Sequence, residues 1–325
     1  MNASCRVCRV RRAGGVGLPL ALGFYEQLPL WAGFFESCGF EVVLSEKSSR
    51  KLYFKGQHTV ASDTVCYPAK LTHGHIESLL DQGVDFIFFP CESYNLDEHD
   101  SMNHYNCPVV AYYPELLKAN NERLHDNNFI MPYLDLNDEK TTVRALKRAL
   151  ARFKLSSKEI AKGLKEGFAR LNAYYTDIRK KGEEILEKAH AQGKAVVVLA
   201  GRPYHIDPEI NHGIGKLLTS LDVAVLSEDS VFEKGKQVLV NVLNQWTYHA
   251  RLYRAAEYVT EHENINLVQL VSFGCGIDAI TTDEVRAILE SRGRLYTQIK
   301  IDEISNLGAV KIRLRTLLEG SRSQD

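Results

Sequence analysis

The chain has 325 residues, 45% hydrophobic and 25% charged, with 40 Lys and Arg against 41 Asp and Glu and a formal charge of −1. This composition suits a globular protein large enough for two domains, and it lacks the net basic footprint of a nucleic-acid binder. No apolar run approaches the ~20 residues of a membrane span.

Residues 1–15 (MNASCRVCRVRRAGG) carry charge but neither an apolar segment nor a small-residue cleavage site, so they read as a disordered start. Secretion is therefore not expected. Seven cysteines form an odd, sparse set, which argues against a disulfide framework.

Runs rich in β-branched and aromatic residues then alternate with helical patterns. Strands are predicted at Glu41–Ser45, Asp85–Pro90 and Val109–Tyr113, and helices near Tyr25–Cys38 and Ala69–Gln82. Most of these strands are continuous apolar runs, as expected where helices cover both faces of a parallel sheet. From 138 to 192 leucine and alanine recur at helical spacing among many charges, which reads as a helical linker between lobes 16–137 and 193–325.

The second series opens with Ala195–Ala200 (AVVVLA), followed by strands at Ala224–Ser227, Leu267–Phe273 and Tyr296–Ile301. Helices are predicted at Asn211–Ser220, Asn241–His262, Asp283–Ser291 and Leu307–Glu319. The reading is α/β, with two parallel-sheet lobes joined by a helical segment.

In open α/β sheets ligands bind outside the carboxyl ends of the strands. Cys91 directly follows the strand Asp85–Pro90, and Cys275 lies in Phe273-Gly274-Cys275-Gly276 at another strand exit. Cys66 precedes Tyr67-Pro68, where proline suits the first turn of a helix. Cys107, in the loop Asn106-Cys107-Pro108 before the next predicted strand, is a fourth candidate. Thiolates from two lobes facing one another across a cleft suit an iron–sulfur cluster, and four of them suit zinc equally. Both metals stay open on position alone, as does the reading of these cysteines as small buried hydrophobes.

Cys5 and Cys8 form a lone CxxC in the arginine-rich start, without a second pair, and Cys38 reads as a core residue of LWAGFFESCGF. Gly201-Arg202-Pro203-Tyr204-His205 follows AVVVLA at a strand exit. Arg202 there is a candidate for holding an anion and His205 for moving a proton, with a capping turn as the plain alternative. His73 and His75 lie two apart on a helix and share no face, which excludes joint ligation. Asp278 and Asp283 read as helix caps, and the stretch 245–251 as a half-buried packing helix. GxxxxGK[ST], GxGxxG after a strand and GxSxG are all missing, so the chain shows no ATP-consuming motif of its own.

Several of these blocks together resemble a known family. Val65-Cys66-Tyr67-Pro68-Ala69-Lys70 with His73-Gly74-His75, Phe89-Pro90-Cys91, and Asn103-His104-Tyr105-Asn106-Cys107-Pro108 are similar to the uncharacterised domain of acyl-CoA dehydratase activase-related proteins. So are GRPYHIDPEINHG at 201–213, Ser272-Phe273-Gly274-Cys275-Gly276 and Lys300-Ile301-Asp302-Glu303. The resemblance runs from Val16 to Leu318 and reaches, distantly, the cluster-bearing subunits of 2-hydroxyacyl-CoA dehydratases and double-cubane cluster proteins.

It implies two flavodoxin-like, Rossmann-like lobes with the cofactor in the cleft between them. That cofactor is an iron–sulfur cluster, [4Fe–4S] or of double-cubane type, held by Cys66, Cys91, Cys107 and Cys275, or by three of them with Cys107 off. It also implies a separate ATP-dependent iron–sulfur activase as electron donor, in the cytoplasm of an anaerobe. The expected function is one-electron reduction or dehydration of a small substrate, an acyl-CoA among the candidates, although no residue pattern here defines a CoA pocket. Arg202 and His205 are then the candidate catalytic residues. The alternative is a non-catalytic iron–sulfur relay or scaffold for a partner enzyme. A homodimer is compatible with the resemblance, since relatives associate.

Overall fold

The computed structural model describes residues 14–99, 101–272, 274–303 and 306–322. Cys5, Cys8 and Phe273 lie outside the described residues. In the first lobe β1 (Gly15–Leu18), β2 (Glu41–Leu44), β3 (Phe86–Phe88) and β4 (Phe129–Ile130) form one parallel sheet in the order β2-β1-β3-β4. Helices α1 (Phe24–Ser37), α2 (Arg50–Gly56), α3 (Tyr67–Asp81) and α4 (Pro108–Asn120) connect and cover it.

Two helices follow, α5 (Glu139–Ala149) and the 35-residue α6 (Ser157–Ala191). Each begins at a side-chain cap: Asp138 accepts from the Thr141 N–H, and Ser156 and Glu159 form a reciprocal capping box. At 1.5 Å per residue α6 spans about 50 Å, long enough to touch both lobes. Ile160, Leu164 and Leu171 join the larger core, which takes in residues of both lobes, and Ala189 joins a smaller core of the second lobe.

The second lobe repeats the pattern. β5 (Val196–Ala200), α7 (Ile214–Ser220), β6 (Ala224–Ser227), α8 (Thr247–Thr260), β7 (Ile265–Val271), α9 (Gly276–Glu290), β8 (Thr297–Lys300) and α10 (Leu307–Arg322) follow in order. All four strands are parallel in the order β6-β5-β7-β8. Val197 packs into the larger core while Val196, Val198 and Ala200 pack into the smaller one. Both faces of β5 are thus covered, which is why its sequence is unbroken apolar rather than alternating. The two lobes are flavodoxin-like, and no described helix is long and apolar enough to cross a membrane.

The structure departs from the sequence reading in one element type and in several boundaries; α7, for instance, starts at Ile214 rather than Asn211. Val109–Tyr113 is not a strand but the first part of α4. Pro108 stands at its first position, and the Cys107 Sγ accepts from the Val110 N–H at 3.4 Å. Val110, Ala111, Tyr113, Pro114 and Leu117 are its buried residues, a helical spacing that outweighs the β-branched pair Val109-Val110. Helix α8 starts at Thr247 rather than Asn241, and α9 at Gly276 rather than Asp283. β1 and β4 were missed, being short and, in β1, interrupted by Gly17.

The crossing of α1 and α6 is a contact of backbones. A Cβ built on Gly167 would lie 2.3 Å from the Leu30 carbonyl oxygen, and one on Gly33 would lie 3.0 Å from the Gly167 Cα. Gly167→Ala is therefore expected to cost about 1–3 kcal/mol, as other overpacked sites do. Urea unfolding reads this directly, and an unchanged midpoint would mean that the helices separate freely.

Charge locks the lobes together. Arg251 on α8 is fully buried, with Nη1 2.6 Å from Glu26 Oε1 of α1 and Nε 2.9 Å from Glu98 Oε2. Near the other edge Lys70 of α3 donates to the Asp63 carbonyl at 2.7 Å and pairs with Glu303 beyond β8. Tyr67 OH donates to Glu209 Oε1 at 2.9 Å across the same seam.

Candidate functional site

Both sheets have the strand order in which the connections leave strands 1 and 3 in opposite directions, opening a crevice at their carboxyl ends. In the second lobe those strands are β5 and β7, and they deliver Arg202 and Cys275 to the crevice. From the first lobe come the starts of α3 and α4. Cys66, Cys107 and Cys275 are the N-cap residues of α3, α4 and α9, so three helix N-termini meet at three thiols. All three cysteines, with Arg202 and His205, line one cavity of about 320 Å³. Its remaining wall is largely apolar, with Val65, Pro68, Pro108, Val109 and Ile277.

The thiols stand around a void. Among the described residues no group of three or more His, Cys, Asp or Glu side chains could hold a metal ion. The seam above the cavity is tight: a Cβ on Gly274 would fall 2.6 Å from the Thr64 carbonyl oxygen, so glycine lets the two lobes' backbones approach here.

Burial pushes the Cys66 thiol up to about 11, against the opposing pull of the Ala69 N–H and the Arg202 guanidinium. Burial likewise raises Cys107, with the Val110 N–H and Arg202 acting the other way. The positive ends of the helices favour thiolate in the same sense. Thiols of this kind lose their protons when a metal takes their place.

Arg202 is buried and holds the site together. Its Nη2 donates to Cys275 Sγ at 2.9 Å and to Asp278 Oδ1 at 2.5 Å. Burial opposes its charge, but Asp278, Tyr204 and Cys275 beside it keep its pKa well above the usual value. His205 sits behind it, with Arg202 Nη1 3.1 Å from Nε2 and the Arg202 backbone N–H 3.3 Å from Nδ1. Burial, then Arg202 and His249, drive its pKa well below the ordinary value. A neutral imidazole has one lone pair, so it accepts from only one of these two donors at a time. Both nitrogens of His205 thus face Arg202, and it supports that residue more directly than it addresses the cavity.

Cys91 stands apart from the other candidates. It leaves β3 fully buried, with its N–H on the Pro132 carbonyl at 2.9 Å and its own carbonyl accepting from Leu134 at 3.0 Å. Burial pushes its thiol up to about 12, with Glu115 adding to the rise, and it does not line the cavity. Of the four candidate thiols, the cavity is thus lined by Cys66, Cys107 and Cys275 and not by Cys91. Cys38 is buried at the end of α1.

His73 is engaged by Thr59 Oγ1 at 2.7 Å and Tyr113 OH at 2.9 Å, and His75 by Ser45 and Ser48 hydroxyls at 2.8 and 3.1 Å. Burial lowers their pKa values to about 4 and about 3, and both are packing residues. Two residues that the sequence reading did not assign to the site border it. Asp278 lies inside the first turn of α9, and Asp283 mid-helix, so neither caps it as expected; Asp278 instead accepts from Arg202 and from the Ser272 N–H. His249, fully buried on α8, brings Nε2 to 3.9 Å from Asp278 Oδ1. Only an Asp three residues after Cys275 hinted at the first, and nothing local marked the second.

The protein is thus a two-lobed parallel α/β protein with a three-thiol cavity at the seam. Residues 15–231 match the CoA enzyme activase uncharacterised domain, and the chain belongs to that family. The matched region contains Cys66, Cys107 and Arg202 but ends before Cys275. No curated protein matches. Among solved structures the C-terminal domain of glucosamine-fructose-6-phosphate aminotransferase from Francisella tularensis is 14% identical, covering 94% of this chain and 83% of its own, with a TM-score of 0.25. A putative sugar binding protein from Salmonella typhimurium LT2 is 9% identical, covering 89% and 77%, with a TM-score of 0.21. At those TM-scores neither bears on the function of this chain.

Proposed function

We propose that Cys66, Cys107 and Cys275 hold an iron–sulfur cluster, that a separate ATP-dependent activase supplies its electrons, and that a small substrate is reduced or dehydrated at the site. The observation that carries this reading is the set of three thiols on three helix N-termini around one cavity of about 320 Å³. A single zinc ion needs every thiolate about 2.3 Å from one point, whereas a cluster takes thiolates spaced around a void. Bound there, a [4Fe–4S] cluster would accept and release single electrons, and three protein thiolates would leave one iron position open.

The chain's own residues supply the rest. Arg202 donates to Cys275 Sγ and balances thiolate charge, while His205 backs the guanidinium. Val65, Pro68, Pro108, Val109 and Ile277 give the cavity an apolar wall. The activase-related family supports an ATP-dependent activase as the electron donor, with an acyl-CoA among the candidate substrates. The distant likeness to 2-hydroxyacyl-CoA dehydratase subunits and double-cubane proteins supports the same chemistry. The separation of Cys91 favours this reading over a relay, because an electron relay needs no open iron.

Protein purified without oxygen is expected to contain about four irons and four acid-labile sulfides per chain, with a low-temperature EPR signal after reduction. Markedly more iron would indicate a double-cubane centre. Absence of iron and sulfide would overturn the proposal.

A further inference from the structure

The Asp278 carboxylate uses its two oxygens on two different parts of the site. Oδ2 accepts from the Ser272 N–H at 2.8 Å, at the start of the turn that carries Cys275. Oδ1 accepts from Arg202 Nη2 at 2.5 Å, and the same nitrogen donates to Cys275 Sγ at 2.9 Å. Asp278 and Arg202 are each only 3–4% exposed, so water offers neither a ready replacement partner. His249 faces the carboxylate from α8 at 3.9 Å and does not compete for the guanidinium.

We propose that Asp278 is a positioning residue: by holding both the Cys275 turn and the Arg202 side chain, it fixes the guanidinium against the Cys275 sulfur. Taken to the cluster, this rests on the function proposed above; taken to the bare thiol, it does not. Asp278 therefore acts through Arg202, and its removal should matter only where Arg202 is present. A simple field effect would do the opposite, since deleting a negative charge beside a thiol favours its thiolate.

The test is a four-way comparison of the unchanged protein, Asp278→Asn, Arg202→Gln and the double variant. In metal-free protein, iodoacetamide labelling of Cys275 is followed by mass spectrometry, with added glutathione as the reference thiol. Asp278→Asn and Arg202→Gln are each expected to slow Cys275 labelling several-fold relative to that reference, and the double variant to slow it no further. Faster labelling in Asp278→Asn, or an effect that persists unchanged in the Arg202→Gln background, would overturn the proposal. So would a lowered melting temperature with unchanged relative labelling. Asp278→Asn leaves Arg202 as an unpaired buried charge. If it does not fold, Asp278→Glu, which keeps the charge and displaces the guanidinium, is expected to slow Cys275 labelling in folded protein. Iron content of the unchanged protein is measured alongside. Its absence would sink the cluster reading while the labelling pattern still decides the role of Asp278.

Discussion

Cys66→Ser, Cys107→Ser and Cys275→Ser are each expected to lose most of the iron and sulfide of anaerobically purified protein, whereas Cys91→Ser keeps them. The division follows the cavity, which the first three cysteines line and the fourth does not. With three thiolates available, removing one leaves two, and serine is a poor replacement for a soft ligand. Cys91→Ser is expected to show its effect in stability instead. It buries a hydroxyl in a fully enclosed position, at a cost of about 1–3 kcal/mol if the hydroxyl finds no partner. Metal analysis and a thermal melt on the same samples separate the two behaviours. A folded Cys91→Ser protein without iron would return Cys91 to the ligand set and require the lobes to rearrange on loading.

The second large effect is expected at the buried clamp between the lobes. Arg251→Met removes the partner of Glu26, a carboxylate only 1% exposed, whose Oε1 lies 2.6 Å from the guanidinium. Breaking a buried pair from one side typically costs about 3–5 kcal/mol, because the remaining charge is left without compensation. Glu26→Gln combined with Arg251→Met should therefore cost less than the two single changes summed. Guanidinium-chloride unfolding of the four proteins gives that coupling. Additive losses would show that Glu26 and Arg251 act independently. The guanidinium also lies over the rings of Phe232 and Tyr248, at 5.2 and 5.3 Å, so part of the loss will be packing rather than charge. Because α8 and α1 belong to different lobes, the clamp helps to set the spacing of Cys275 from Cys66 and Cys107. Iron retention in Arg251→Met is expected to fall with stability.

Much of the fold was legible in local pattern. Unbroken apolar runs such as Val196–Ala200 are strands because both faces are covered, and such runs need no distant information to recognise. The failures were also local in origin. Val109-Val110 with Tyr112-Tyr113 looks like a strand until Pro108 is read as a helix start, which also turns Cys107 from a loop residue into a cap. A cysteine followed closely by proline marks a helix start at Cys107 as it does at Cys66.

The sequence by itself determined two parallel-sheet lobes, a long helical connection, and a set of cysteines and an arginine at the ends where ligands bind. Each of these depends on neighbours within a few residues: apolar runs, caps, prolines and glycines. Only the tertiary structure decided which of those ends meet. Cys91 and Cys275 both leave the third strand of their sheets, yet one turns into its own lobe's core and the other faces the seam. That choice, and the placing of Arg202 between Asp278 and Cys275, follow from how two lobes dock, which is set by long-range packing and buried charge.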